Sequence, residues 1–135
     1  MRVVLDANVV ASGVCWLGEA HQCLVKVARR QAFAYATEIT LAEATETTTR
    51  LIRELDRGNS ATNIFNWYLE EARMVEPATL GKQRSRDAKD DPYLAAAIAA
   101  RADFIVSYDK DLLVLNKPFG IGLIRPARFL QLIRG

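Results

Sequence analysis

The sequence predicts an α/β domain with a mainly parallel central sheet of about five strands flanked by helices. Three observations carry this reading. Strand-like runs alternate with helical patterns along the chain. Two runs, Val3 to Leu5 and Phe104 to Val106, are apolar without alternation, as strands buried on both faces require. Half of the 135 residues are hydrophobic and a quarter are charged, so one domain spanning 1–135 can bury roughly two thirds of its unfolded surface.

The elements follow in order. Val3-Val4-Leu5 is the first strand and ends at Asp6. A helix over about 19–31 leads to a strand at Phe33-Ala34-Tyr35-Ala36. Segment 38–56 is helical because Leu41, Ala44, Thr48, Leu51, Ile52 and Leu55 share one face, while Glu46 and Arg50 point away. Asp56 to Ser60 closes that helix and caps the next, 60–73, where Ile64, Trp67, Tyr68 and Glu71 recur at helical spacing. Met74-Val75-Glu76 is a short strand, and Pro77 to Asp90, nearly free of apolar residues, is a loop. A helix over 91–102 starts with Pro92 at its first helical position. The strands Phe104-Ile105-Val106 and Gly122-Leu123-Ile124 and a last helix over 126–134 complete the chain.

Composition excludes several classes. Eighteen Lys and Arg against sixteen Asp and Glu leave a net charge of +2, so nucleic-acid affinity has to come from local clustering. Cys15 and Cys23 form no CxxC pair and His21 is the single histidine, which argues against a zinc site and for cysteines as small core residues. No apolar run approaches the roughly 20 residues that span a bilayer, and the N-terminus reads as a strand rather than a signal peptide. The expected location is cytoplasmic, without membrane association and with reduced thiols.

The acidic residues carry the chemistry. Ligands of open parallel sheets bind beyond the carboxyl ends of the strands, and Asp6 and Asp109 both fall at that edge. Each is also an ordinary strand-terminating turn residue or helix cap. Asp91 heads the stripe Leu94, Ala95, Ile98 and Ala102, which starts its carboxylate on the buried face of the 91–102 helix, where it can equally serve as an N-cap. Asp90 beside it is expected to point elsewhere, as an outer or solvated group. Glu38 and Glu43 both border the apolar face of the 38–56 helix, and the helical wheel does not choose between them.

Read together, these segments resemble a PIN domain, the metal-dependent nuclease fold of VapC-like toxins. Val3-Val4-Leu5-Asp6-Ala7-Asn8-Val9-Val10-Ala11-Ser12-Gly13 resembles the family's opening strand, acid and Asn turn. Glu38-Ile39-Thr40-Leu41-Ala42-Glu43 places Glu43 where the family has its second acid. Asp90-Asp91-Pro92-Tyr93-Leu94-Ala95-Ala96-Ala97 resembles the segment with the third, and the spacing to the alanines selects Asp91. Ile105-Val106-Ser107-Tyr108-Asp109-Lys110-Asp111-Leu112-Leu113 resembles the fourth motif, with a Ser two positions before the acid. Tyr108, where a small residue is usual, and Pro92, which stiffens the turn, are departures that remove no carboxylate. The resemblance implies a PIN-like three-layer fold.

It also implies an endoribonuclease that uses one or two Mg²⁺ or Mn²⁺ ions, because clustered carboxylates repel unless a cation neutralises them and oxygen-only ligands select hard cations. Asp6, Glu43, Asp91 and Asp109 are then the catalytic and metal-holding residues, with Glu43 alternatively placing the attacking water. Asn8, Ser107, Asp90 and Asp111 stand behind them as hydrogen-bonding or outer groups, although Asp111 can as well cap the turn at Leu112-Leu113. Lys82, Arg84, Arg86 and Lys89 form either a solvated connector or a patch that steers RNA phosphates; no aromatic residue is interleaved for base stacking. Through the family, the expected partners are an RNA substrate, a cognate antitoxin and a second copy in a homodimer. Trp16, Phe65, Trp67 and Tyr68 are contact candidates or, as is commoner for helix-spaced aromatics, core residues. A PIN-like module that binds RNA or a partner without cleaving is the non-enzymatic alternative. An aspartyl phosphotransferase with Asp6 as nucleophile is disfavoured by Asn8, which stands where such enzymes carry a second acid.

Overall fold

The computed structural model describes residues 1–115 and 117–133. Five strands, β1 (Arg2–Leu5), β2 (Phe33–Ala36), β3 (Arg73–Met74), β4 (Phe104–Val106) and β5 (Gly122–Ile124), form one sheet in the order β3-β2-β1-β4-β5. Every pairing is parallel, with Val3 opposite Phe104 and Leu5 opposite Val106 at the centre. The helices are α1 (Ala7–Cys15), α2 (Glu19–Ala28), α3 (Glu38–Leu55), α4 (Gly58–Glu71), α5 (Asp91–Ala100), α6 (Lys110–Leu113) and α7 (Pro126–Leu132). The end predicted for the last helix, at 134, lies outside the described residues.

Side-chain alternation along β1 divides the core into two layers. Val3 and Leu5 pack with Val9, Leu24, Phe65 and Phe129, whereas Val4 faces Tyr93, Leu94, Ala97 and Ile105 of α5 and β4. The sheet is thus covered on both faces, which explains the uninterrupted apolar run of β1. Phe65 and Tyr68 are buried, Trp67 is half-buried, and Trp16 is exposed beside the Arg57 guanidinium. Cys15 and Cys23 are buried and free, and burial pushes the Cys23 thiol up to about 12.

Helix boundaries follow local chemistry. Thr37 and Thr40 form a reciprocal capping box at the start of α3, and Asp56 ends it in the left-handed region at φ 50°. The sequence reading has no helix between Asp6 and Gly18, and there the structure corrects it: α1 begins directly after Asp6. Val9, Val10, Ala11, Gly13, Val14 and Cys15 are all buried, and the polar face is reduced to Asn8 and Ser12, too narrow to show a clear helical period.

β1 lies at the point where strand order reverses. The chain leaves it toward β2 on one side, while β4 pairs on the other. Such a switch point opens a crevice beyond the carboxyl ends of the two central strands. Asp6 follows β1 and Ser107 follows β4, side by side at that edge.

Candidate functional site

Asp6 is buried at the end of β1, with 4% exposure, and its amide donates to the Val106 carbonyl at 3.0 Å. The Ser107 hydroxyl donates to Asp6 Oδ2 at 2.7 Å and accepts from the Asp109 amide at 2.9 Å. One serine therefore ties the two strand-end acids together. Burial raises the Asp6 pKa, opposed by the Ser107 hydroxyl and the Ala7 amide, while the Asp109 charge raises it further. Asp109 is half-buried and caps α6, accepting from the Asp111 amide at 2.8 Å.

α5 brings the next groups. A 3-10 turn, Ala88–Asp90, runs into α5 and buries Asp90, which is 7% exposed. Burial pushes Asp90 up to about 7, helped by the charges of Asp109 and Asp87, by a hydrogen bond shared with Asp109 and by the charge of Asp6. No protein donor reaches its sealed Oδ2. The repulsion that raises Asp90 is what a cation at this point would relieve.

Asp91 faces away from this group. Its two oxygens accept from the Arg84 amide at 3.0 Å and the Ser85 amide at 2.7 Å. Burial would raise its pKa, but these amides and the Arg84 charge outweigh burial and lower it. Asp91 thus organises the 84–85 loop rather than joining the strand-end acids.

Glu43, exposed on α3, joins from the other side through Tyr93. The Tyr93 hydroxyl accepts from the Ala7 amide at 3.3 Å and hydrogen-bonds the Glu43 carboxylate and Asp6. Glu43 is raised by burial and by the Asp6 charge and lowered by Tyr93 and Lys89. Burial and the two neighbouring carboxylates drive the Tyr93 pKa far upward, so its hydroxyl keeps its proton. Tyr93 went unnoticed in the sequence, although it lies three positions after Asp90 and so on the same helical face.

Of the remaining candidates, Asn8 is exposed in the first turn of α1. Asp87, Asp90 and Asp111 each offer a carboxylate oxygen within 4.8 Å of the others. Lys82 and Lys89 are exposed; Arg84 stacks over Phe119, 5.4 Å from the ring centroid, and Arg86 pairs with Asp111. The structure thus gathers Asp6, Glu43, Asp90, Asp109 and Asp111 around Ser107 and Tyr93, and sets Asp91 apart from them.

The donors suit a hard divalent cation. All are oxygens, several are pushed toward protonation by burial and mutual repulsion, and one buried carboxylate oxygen has no donor. Among the described residues no helix is long and apolar enough to cross a membrane. No curated protein matches the chain. A family model described as a PIN domain matches residues 2–111.

Proposed function

The chain belongs to the PIN-domain family, a family of metal-dependent nucleases, and from that premise we propose that residues 1–135 form a single-domain endoribonuclease that hydrolyses RNA phosphodiester bonds with Mg²⁺ or Mn²⁺. The observation that carries the proposal is the convergence of Asp6, Asp90 and Asp109 at the reversal of strand order, with a buried Asp90 oxygen that no donor satisfies. In this reading Asp90 takes the place that sequence spacing gave to Asp91.

Asp6, Asp90 and Asp109 would hold the ion, which when bound polarises the scissile phosphate and acidifies a water for in-line attack. Ser107 fixes the Asp6 carboxylate and, through the Asp109 amide, the turn that carries the second acid. Glu43, oriented by the Tyr93 hydroxyl, accepts the proton of the attacking water at its carboxylate; its raised pKa makes it a stronger base than a solvated glutamate. Asp91 shapes the loop that presents Lys82, Arg84, Arg86 and Lys89 to the RNA backbone. The further roles of toxin, antitoxin-bound complex and homodimer rest on the VapC-like motifs and belong to the same proposal.

The purified chain should cut RNA in Mn²⁺ or Mg²⁺ and stop in EDTA. Cleavage that ignores chelation, or that persists in Asp6→Asn, would sink the assignment, and RNA binding without cleavage would favour the silent module. Toxicity is tested separately: induced expression should arrest growth, and Asp109→Asn should relieve it.

A further inference from the structure

Asp87, Asp90 and Asp111 approach one another from three places in the chain. Asp87 caps the 3-10 turn by accepting from the Lys89 amide at 3.0 Å, Asp90 closes that turn, and Asp111 sits in α6. One carboxylate oxygen from each lies within 4.8 Å of the others, close enough for a single cation to reach all three. A guanidinium already touches the group. Arg86 Nε donates to Asp111 Oδ1 at 3.0 Å, and a terminal nitrogen of the same guanidinium donates to that oxygen as well. Both bonds end on one oxygen of the outer acid. The innermost oxygen, Asp90 Oδ2, stays sealed from solvent and without a donor.

Arg86 does not hold its loop in place. The backbone on either side is fixed by other groups: Asp91 takes the Arg84 and Ser85 amides, and the Gln83 side chain donates to the Ser85 carbonyl at 2.9 Å. The Arg86 side chain is 62% exposed, so it can swing away without unfolding the segment.

We propose that Asp87, Asp90 and Asp111 form a divalent-cation seat adjoining the Asp6–Asp109 pair through Asp90, and that Arg86 is the built-in cation that holds Asp111 until a metal ion displaces it. The inference rests on the nuclease reading, yet it makes a claim of its own: the Arg86 charge competes with the metal. Removing a cation near acids ordinarily strengthens metal binding, whereas removing a strut would weaken it.

Mn²⁺ titrated calorimetrically into the full chain, without RNA, separates the two. Arg86→Ala should bind Mn²⁺ about three- to fivefold more tightly, the range an exposed ion pair supports. Arg86→Lys, which keeps a cation there, should stay close to wild type. Asp111→Asn should lose one bound ion or weaken one binding step about tenfold. Unchanged or weaker binding in Arg86→Ala, or unaltered stoichiometry and affinity in Asp111→Asn, overturns the inference while leaving the nuclease reading intact. A wild-type chain that binds no Mn²⁺ at all overturns both. Thermal melts of each variant confirm that the fold is retained.

Discussion

Asp90 and Asp91 are adjacent in the chain, yet their carboxylates lie in different surroundings. Asp90 is buried against Asp109 with a sealed, donor-free oxygen, and Asp91 accepts two loop amides. The 3-10 turn sets this up by making Asp90 the last residue before α5, so that it points with Tyr93 and Leu94 into the molecule. The two neighbours should therefore fail differently. Asp90→Asn should lower RNA cleavage by more than ~100-fold and weaken Mn²⁺ binding, since a residue holding the ion should matter more than one behind it. Asp91→Asn should cost about 1–2 kcal/mol of stability through its lost charge-assisted bonds, with Mn²⁺ stoichiometry preserved. Calorimetry and denaturant melts of the pair distinguish the assignments, and equal loss of metal in both would contradict them.

The pH dependence of stability has a definite sign. Burial and the Asp109 and Asp87 charges push Asp90 from 3.8 up to about 7 in the fold. Below the unfolded value both states are protonated, and the group is neutral in effect. Between about 4 and 7 the unfolded chain releases the proton and the native chain keeps it, so stability falls as pH rises, by on the order of a few kcal/mol at most. Above about 7 both states are ionised and the penalty remains in full. Asp6 and Glu43, also raised, act in the same direction; the lowered Asp91 acts oppositely, its contribution being lost as pH falls below the ordinary carboxylate range. The metal-free chain should thus melt lower at pH 8 than at pH 5. Mn²⁺ should close much of that gap, and Asp90→Asn should flatten it.

Ser107 tests the link between the two strand ends. It is 1% exposed and its hydroxyl serves Asp6 and the Asp109 amide at once. Ser107→Ala leaves a buried carboxylate oxygen and an amide without that partner, a loss of about 1–3 kcal/mol. The Asp6 pKa should rise, because a bond that favours its charged form is gone. Cleavage should fall about 10- to 100-fold, with its acid limb moved to higher pH. A rate loss without any shift in the pH profile would mean that Ser107 acts through packing alone.

Much of this was readable in the sequence, for reasons that also explain what was not. β1 and β4 are buried on both faces, and an apolar run of β-branched residues has few other uses; the acids that follow them are fixed by topology. The pattern of α5 does not decide which acid heads its inner face, because the helix is buried nearly all round and any of several stripes can be drawn along it. Asp91 heads Leu94, Ala95 and Ile98, but Asp90 heads Tyr93, Leu94, Ala97 and Ala100, and all four of those are buried, whereas Ile98 is only half-buried. The period of α1 is faint for a similar reason: Asn8 and Ser12 alone make up its polar face. The loop cations could not be placed at all, because the partners of Arg84 and Arg86, namely Phe119 and Asp111, come from distant parts of the chain.

The helix that sequence pattern concealed also sets where Asp6 sits, and Gly13 decides how closely it packs. A Cβ on Gly13 would lie 2.8 Å from Leu24 Cδ1 and 2.9 Å from the Ala20 carbonyl oxygen, the second a backbone atom that cannot turn aside. The Gly13 carbonyl is in turn hydrogen-bonded to the His21 ring at 2.8 Å, so α1 and α2 are held at that distance from both directions. Gly13→Ala should therefore push the two helices apart and cost about 1–3 kcal/mol, read from denaturant unfolding. Because α1 starts at Ala7, whose amide donates to Tyr93, a displaced α1 should loosen the hydroxyl that orients Glu43. Cleavage should then fall with less effect on Mn²⁺ affinity, since the carboxylates of Asp90 and Asp109 stand on other elements. A Gly13→Ala chain as stable as wild type would show that the α1–α2 contact yields without cost, and that its closeness does not set the geometry of Asp6.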